Sequence, residues 1–306
     1  MKARAMILAA GRGERMRPLS DHTPKPLLPA GGKPLIVWQI EALAQAGFHE
    51  IVINVAWKSA QIEAALGDGA AWKVRLLYSR ENPALETAGG IAHALPLLEP
   101  GPVLIVSADV WSAFDYRALL LRIEKMRESK SAAHENCAAH LVMVPNPPYH
   151  PEGDFALNRE GLLEIQPTLS KDEGATPDAI KFPSPAPSGH PLPQVGEGKD
   201  SELLTFGNIG IYQTRLFANI APDVPQKLTP YYRQWVAQGI VSGERYDGPW
   251  FNVGAPEDLA ALERALITDE MVKRKGLTRA FEALNKLPDD FLEERNDDLP
   301  QIREGL

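Results

Sequence analysis

The most informative part of this 306-residue chain is the stretch Leu8-Ala9-Ala10-Gly11-Arg12-Gly13-Glu14-Arg15-Met16-Arg17-Pro18-Leu19, followed by Pro24-Lys25-Pro26-Leu27. It follows an apolar run at residues 3–8, which predicts the buried first strand of a parallel sheet. A strand that runs into a glycine-rich turn presents backbone N–H groups to which a phosphate can bind. Arginines and a lysine between two prolines add positive charge to the same turn. The stretch therefore predicts a loop that binds a nucleoside triphosphate.

Two common glycine motifs do not fit this loop. A P-loop needs Gly-Lys followed by Ser or Thr, and the dinucleotide fingerprint needs a third glycine where this chain has Met16. A glycine pair alone is compatible with a simple tight turn whose arginines are solvated. The segment Pro24-Lys25-Pro26 favours a functional loop, because two fixed φ angles place the lysine at little further entropic cost.

Strands and helices alternate along the first part of the chain. Strands are predicted at Glu50–Val55, Val74–Tyr78 and Pro102–Ser107, and helices at Pro34–Gly47, Ser59–Leu66 and Gly89–Leu98. Repeated strand–helix units of this length predict an α/β fold with a doubly wound parallel sheet. Ligands bind beyond the carboxyl ends of such strands, so the glycine loop and Asp109 should share one cleft.

Composition restricts the classes of function. The net charge of −8 argues against a general nucleic-acid binder, which needs a basic excess to release counterions. The single cysteine, Cys137, cannot form an intramolecular disulfide, and the sequence shows no signal peptide or long apolar span. We therefore expect a cytoplasmic protein without a membrane partner.

Two segments depart from the alternating pattern. Residues 166–201 are rich in Pro, Gly and Ser, which predicts a flexible insertion. Residues 269–306 are strongly charged and are expected to form a helical C-terminal tail. Residues 1–268 would then form one domain, in a chain that is a monomer or a small homo-oligomer.

The glycine loop resembles the signature of the sugar-phosphate nucleotidyltransferase family, Leu-Ala-Ala-Gly-x-Gly-x-Arg-Met/Leu-x-Pro-Leu followed by Lys-Pro-Leu. Within that family the chain is most similar to the uridylyltransferases of N-acetylmuramate 1-phosphate that serve peptidoglycan recycling. The stretches that carry this closer resemblance are Ile53–Trp57, Pro83–Ile91, Asn146-Pro147 and Gly153–Phe155. The resemblance covers most of the first 265 residues or so.

This resemblance implies a fold and a reaction. The fold would be a Rossmann-like, doubly wound mixed sheet, mainly parallel, of the kind shared with GT-A-like enzymes. The reaction would join a nucleoside triphosphate, UTP in preference, to a sugar 1-phosphate and release pyrophosphate. A mannose- or glucose-1-phosphate nucleotidyltransferase and a catalytically weakened nucleotide-sugar sensor stay open as alternatives.

The resemblance also implies roles for individual residues. Lys25 would contact the α-phosphate and the sugar phosphate, and Arg15 the β- and γ-phosphates. Nucleotide-binding roles fall on Leu8, Ala9, Ala10, Gly11, Gly13, Glu86, Thr87 and Gly90, and sugar-binding roles on Asn146, Asp154 and Asn208. No covalent intermediate is needed, because the attacking phosphate is already an anion; catalysis is positioning and charge stabilisation.

A metal site is implied at two further positions. Asp109 ends the strand before it and would ligate Mg²⁺, which prefers one or two carboxylates with waters. The family's second ligand lies in Trp-x-Asp-x-Gly-Thr, where this chain has Trp250-Phe251-Asn252-Val253-Gly254-Ala255. Asn252 offers a carbonyl oxygen without charge, so we expect an active enzyme with weakened metal binding.

Overall fold

A mixed sheet of nine strands runs through the part of the chain that this computed structural model describes, namely residues 3–128, 137–165 and 202–268. The described strands are β1 Arg4–Leu8, β2 Pro29–Ala30, β3 Lys33–Pro34, β4 Glu50–Val55, β5 Arg75–Arg80, β6 Pro102–Ser107, β7 Val110–Ser112, β8 Ala139–Val144, β9 Phe155–Leu157, β10 Leu163–Glu164, β11 Glu202–Gln213, β12 Val241–Arg245 and β13 Trp250–Asn252. The large sheet has the order β10-β9-β11-β6-β1-β4-β5, and β8 pairs with β11 and β12. Strands β2–β3 and β7–β13 form two further pairs.

Helices cover both faces of this sheet. They are α1 Leu19–His22, α2 Leu35–Ala46, α3 Ser59–Leu66, α4 Glu86–Ala94, α5 Tyr116–Glu128, α6 Thr229–Ala237 and α7 at residues 256–268. Apolar side chains of α2, α3 and α5 pack on one face, and those of α4 and α6 on the other. Strand β1 contributes to both cores, because Ala5 and Ile7 point to the first and Met6 to the second.

The sheet has two halves that differ in strand direction. In the N-terminal half, β1, β4, β5 and β6 are parallel. In the C-terminal half, the long strand β11 runs antiparallel to β6, β8 and β9. Since β11 borders β6, the two halves meet at the point where the parallel order ends. Ligands bind such sheets beyond the carboxyl ends of the parallel strands where the strand order reverses, which here is between β1 and β6.

A third, smaller core attaches the glycine loop to the end of the described chain. Met16 and Leu35 are buried beside Val253 and the α7 residue Leu262. Met16 stands where a dinucleotide fingerprint would have its third glycine. In the dinucleotide fingerprint that glycine allows a helix to pack closely against the strand, whereas Met16 anchors the loop in this small core.

The predicted fold class, α/β with a doubly wound sheet, is confirmed. The strands at Glu50–Val55 and Pro102–Ser107 and the helix at Ser59–Leu66 have the predicted bounds. Helix α4 begins at Glu86, earlier than predicted, and its first turn receives a distant cap. The carbonyl of Gln226 accepts hydrogen bonds from the N–H groups of Ala88 (2.8 Å) and Gly89 (3.2 Å).

Two predicted segments cannot be compared with the structure. The insertion at 166–201 and the tail at 269–306 lie outside the described residues. None of the helices in the described ranges is long and apolar enough to cross a membrane.

Candidate active site

The glycine loop forms one wall of a cavity of about 480 Å³ at the carboxyl ends of β1, β4 and β6, here called the loop cavity. Its lining includes the predicted nucleotide and catalytic residues Leu8, Ala9, Ala10, Gly11, Gly13, Lys25, Glu86, Thr87 and Asp109. The structure therefore brings together most of the residues that the sequence selected. Arg15 and Gly90 are not part of the lining.

Lys25 and Asp109 form an ion pair at the mouth of the loop, with 2.5 Å between Nζ and Oδ2. The Lys25 side chain is only 11% exposed and Asp109 is 32% exposed. Gly13 has a left-handed backbone (φ 67°), and a Cβ placed there would lie 3.0 Å from the Cβ of Lys25. Ser20 donates a hydrogen bond to the Gly13 carbonyl at 2.7 Å and fixes this turn. The loop thus packs against the lysine and holds its ammonium group in place.

A chain of buried hydrogen bonds supports the back of the loop cavity. The Ala9 N–H donates to Asn54 Oδ1 (2.7 Å), and Asn54 Nδ2 donates to Glu81 Oε1 (2.7 Å). Glu81 Oε2 accepts from the Leu85 N–H at 2.8 Å. A Cβ on Gly90 would lie 2.5 Å from Glu81 Oε1, so glycine is required there to leave room for the carboxylate. The structure places Gly90 behind this chain.

The three arginines of the loop take separate positions. The Arg12 guanidinium lies 4.7 Å from the ring centroid of Trp57, within the range of a cation–π contact, and Arg12 lines the loop cavity. Arg17 pairs with Asp21 at 2.7 Å on the surface. Arg15 points toward Gly254, where a Cβ would lie 3.4 Å from its Nη2. Arg12 is therefore the arginine that the structure places at the cavity.

Asp109 and Asn252 are neighbours at the junction of the two sheet halves. Asn252 pairs with Val110 across β13 and β7, and the Val253 N–H donates to the Asp109 carbonyl at 2.9 Å. Asn252 and Tyr149 line the same neighbouring cavity, and the pKa of Tyr149 is raised, chiefly by burial.

This donor set is consistent with a divalent metal. The described residues contain no group of three or more His, Cys, Asp or Glu side chains suited to a metal ion. Mg²⁺ does not need such a group, because it takes one or two protein oxygens together with waters and substrate phosphates. The Asp109 carboxylate and the Asn252 carbonyl oxygen are oxygens of that kind.

A second cavity of about 530 Å³, here called the β11 cavity, adjoins the loop cavity. The two share Leu8, Glu86, Thr87 and Ser107. Glu86 has a left-handed backbone (φ 58°), which is uncommon for a residue other than glycine and is found disproportionately at functional sites. The two cavities together form one cleft wide enough for two substrates.

A bulge in β11 presents Asn208 to the β11 cavity. The pairing of β11 with β8 shifts between Phe206 and Gly210, and Asn208 adopts a left-handed backbone (φ 57°) in the bulge. The Trp250 indole N–H donates to the Gly207 carbonyl at 3.0 Å and holds the bulge in place. Bulges often redirect a side chain beside a binding site.

The loop at residues 146–154 is tied to β11 by side-chain hydrogen bonds. Asp154 Oδ2 accepts from the Phe206 N–H at 2.8 Å, and Oδ1 lies 3.2 Å from His150 Nε2. Asn146 donates to the carbonyls of Pro151 and Leu203 and accepts from Thr205. Asp154 and His150 line the β11 cavity, but Asn146 does not.

Two buried tyrosines contribute to the wall of the β11 cavity. The hydroxyls of Tyr212 and Tyr232 lie 2.5 Å apart. Burial is the largest cause of the raised pKa of each phenol. Both side chains therefore stay neutral and present a fixed, mainly apolar wall to a ligand.

Sequence reasoning missed three residues at this site. All three line the β11 cavity: Lys227, Tyr232 and Tyr149. Of the three, only Tyr149 could have been found from the sequence, because it lies between two stretches that resemble the family, Asn146-Pro147 and Gly153–Phe155.

Comparison with known proteins identifies the class that this fold and site define. A family model described as nucleotidyl transferase matches residues 4–140. A relative from Neisseria meningitidis serogroup B, named N-acetylmuramate alpha-1-phosphate uridylyltransferase, is 45% identical over 82% of this chain and 93% of its own. The chain belongs to the sugar-phosphate nucleotidyltransferase family, and the predicted family and enzyme class are confirmed.

Two further comparisons agree with this. A relative of the same name from Caulobacter vibrioides is 31% identical over 86% of this chain and 96% of its own. The crystal structure of HddC from Yersinia pseudotuberculosis, solved with GMP-PN, has a TM-score of 0.60 at 16% identity and covers 86% of this chain and 99% of HddC. At that identity the likeness concerns the fold. Nucleotidyltransferases of this family generally use a divalent metal.

Proposed function

We propose that this enzyme joins UTP to N-acetylmuramate 1-phosphate, giving UDP-N-acetylmuramate and pyrophosphate. The observation that carries the proposal is the pair of adjoining cavities, one lined by the Lys25–Asp109 ion pair and the other by Asn252. The names of the two relatives similar over most of the chain support the choice of substrates.

The proposed reaction is a direct displacement at the α-phosphorus of UTP. An oxygen of the sugar 1-phosphate forms the new P–O bond, the bond between the α- and β-phosphates breaks, and pyrophosphate leaves with that electron pair. The attacking oxygen is already anionic, so no general base is required. Catalysis then depends on holding the two phosphates in line and on neutralising their charge.

Lys25 is the residue that we place at the reacting phosphates. Its ammonium group lies at the border of the loop cavity, fixed by Asp109 and by packing against Gly13. A positioned cation loses little freedom when the phosphates arrive, so little of its interaction energy is spent on ordering the side chain. Arg12, held on Trp57, adds a second cation at the same cavity.

Arg15 keeps its proposed role toward the leaving phosphates. In the structure its guanidinium points toward Gly254, at the start of α7. From that position Arg15 would neutralise the β- and γ-phosphates only if these phosphates extend beyond the loop cavity toward Gly254.

We further propose that Asp109 and Asn252 would hold Mg²⁺, the divalent ion best suited to phosphate substrates. When bound, the ion would neutralise phosphate oxygens and so lower the barrier to displacement. Asn252 contributes an oxygen without charge. Asp109 therefore carries the only charge of the two proposed ligands.

The nucleotide would occupy the loop cavity. We assign backbone contacts to the segment Leu8–Gly13 and the base wall to Glu86 and Thr87, which border both cavities. Gly90 would act indirectly. Because it has no side chain, it leaves room for the Glu81 carboxylate, which holds Asn54 and, through it, the loop.

The sugar would occupy the β11 cavity. Asp154 and Asn208 line it and offer a carboxylate and an amide to sugar hydroxyls. We propose that Asn146 acts one step away: its amide fastens the loop that carries His150 and Asp154. Residues 1–268 as one domain, a cytoplasmic location and a monomer or small homo-oligomer are further parts of the proposal, which includes no nucleic-acid or membrane partner.

One assay tests the substrates. The protein is mixed with Mg²⁺, each of several nucleoside triphosphates and a panel of sugar 1-phosphates, and pyrophosphate release is measured. We expect release with UTP and N-acetylmuramate 1-phosphate, at a rate far above that of mixtures lacking the sugar.

Other outcomes would contradict the proposal in distinct ways. Release with mannose or glucose 1-phosphate in preference would assign a different acceptor. Tight nucleotide-sugar binding without release from any pair would indicate a sensor that has lost catalysis.

A further inference from the structure

Lys227 is a cation at the β11 cavity for which the proposed reaction has no use. Among the described residues that line this cavity it is the only lysine or arginine, beside the carboxylates of Glu86 and Asp154. No ion pair or hydrogen bond joins its side chain to another described residue. Its charge is therefore available to a ligand.

The backbone on either side of Lys227 is anchored. The Gln226 N–H donates to the Leu85 carbonyl at 2.9 Å, and the Gln226 carbonyl caps α4. On the other side, Leu228 is only 6% exposed, and its carbonyl accepts from the Tyr232 N–H in α6. Lys227 itself is exposed, but its backbone is held on both sides, so less freedom is lost when its side chain binds a ligand.

The position of Lys227 separates it from the phosphates. Lys25 and Arg12 line the loop cavity, and Lys227 lines only the β11 cavity. The 1-phosphate of the sugar must reach the border of the loop cavity to react. Lys227 therefore meets the remote part of the sugar. A neutral hexose carries no charge there, but an amino sugar with an acidic ether substituent does.

We propose that Lys227 binds a carboxylate carried on the body of the sugar, and that this contact selects acidic sugar 1-phosphates over their neutral counterparts. The inference rests on the proposed function, in which the acceptor is N-acetylmuramate 1-phosphate. That sugar differs from N-acetylglucosamine by a lactyl ether, whose carboxylate is the group selected.

The test compares these two acceptors in the Lys227→Met enzyme, which keeps most of the side-chain length and loses the charge. We expect KM for N-acetylmuramate 1-phosphate to rise about 10- to 100-fold, the usual size of a lost charge-assisted hydrogen bond. KM for N-acetylglucosamine 1-phosphate and kcat should stay unchanged. Lys227→Arg should retain the preference, and Lys125→Met, an exposed change on α5, should leave both acceptors unaffected.

Two outcomes would overturn the inference. An equal loss with both acceptors would place Lys227 at the phosphate, and no loss with either would remove it from the site. Calorimetric binding of UDP-N-acetylmuramate and UDP-N-acetylglucosamine repeats the comparison without turnover. If the wild-type enzyme does not use N-acetylmuramate 1-phosphate, the proposed function fails, and the calorimetric comparison still decides whether Lys227 selects the carboxylate.

Discussion

The loop cavity and the β11 cavity are built in different ways. Most of the loop cavity comes from two short stretches of chain, at residues 8–14 and 107–109, with Lys25 between them. The β11 cavity collects side chains from β9, β11, β13 and the start of α6. Under the proposed function, the first cavity would perform the chemistry common to the family, and the second would distinguish acceptors.

This division of roles can be tested directly. Changes at Lys25 in the loop cavity should lower kcat with every acceptor, and changes at the sugar-facing residues Asp154 and Asn208 of the β11 cavity should raise KM for the sugar phosphate alone. An enzyme in which both kinds of change affect both constants equally would contradict the division.

The largest effect is expected for Lys25→Ala. Removing the charge that faces the reacting phosphates should lower kcat about 100- to 1000-fold, as for other preorganised electrostatic contacts. The loss should be the same for each acceptor that the enzyme accepts. Pyrophosphate release at saturating substrates measures it, with the exposed Lys125→Ala enzyme as the matched control. Near-normal turnover would exclude Lys25 from the mechanism.

A smaller effect is expected at the bulge. Asn208→Ala and Asn208→Gly both remove the amide, so each should raise KM for the sugar phosphate about tenfold and leave KM for UTP unchanged. Only alanine has to adopt the left-handed backbone with a Cβ and without a compensating amide, so it alone should lower the melting temperature. A KM that changes only in the less stable variant would mean that Asn208 shapes the strand and does not bind sugar.

A change in metal dependence is expected for Asn252→Asp. A second carboxylate beside Asp109 should lower the Mg²⁺ concentration for half-maximal rate by roughly several-fold and preserve the rate at saturating Mg²⁺. Titration of the initial rate with Mg²⁺ gives both values. Loss of activity at all Mg²⁺ concentrations would show that residue 252 is not a ligand position.

The smallest effect concerns the outer strands of the C-terminal sheet half. His140 on β8 lies between Ser242 (2.8 Å) and Glu244 (3.2 Å) of β12. Burial is the largest cause of the lowered pKa of His140, and the hydrogen bond from His140 lowers the pKa of Glu244. In the folded state both groups have a lowered pKa and therefore favour the deprotonated form. Each contributes to the free energy of unfolding above its unfolded pKa, and this contribution is lost as the pH falls.

The resulting pH dependence has a defined range. The contribution of His140 should begin to fall below its unfolded pKa of 6.5, and that of Glu244 below 4.5. Urea unfolding at a series of pH values measures the slope. His140→Gln should flatten the upper part of this range, and the exposed His49→Gln should not. If the free energy of unfolding depends on pH with the same slope in both variants, His140 is not the group that takes up the proton.

The sequence predicted the loop cavity better than the β11 cavity, for a physical reason. Gly13 and Lys25 lie close together in the sequence and pack against each other, and the apolar run of β6 predicted where Asp109 would lie. When the wall of a cavity is made of residues that are neighbours in the sequence, backbone propensity and a short motif are enough to predict it.

The β11 cavity depends on contacts between distant residues. The left-handed backbone of Asn208 follows from a register shift against β8, and Lys227 reaches the site because Gln226 caps a helix 140 residues earlier in the chain. The motif predicted that Gly90 contacts the edge of the base. The structure shows a second reason for glycine at this position, because a side chain would collide with the buried Glu81. None of these pairings has a local signal in the sequence.

The place of β11 in the sheet has a consequence for biosynthesis. Strands β1, β4, β5 and β6 have all left the ribosome once Ser107 has emerged, and their parallel pairings can then form. The other edge of β6 is completed by β11, which ends only at Gln213. During the interval, the growing chain carries an apolar strand with an unpaired edge, the kind of surface on which nascent chains aggregate. The edge of β6 that β11 later covers is therefore the part of this sheet that stays unpaired longest during synthesis.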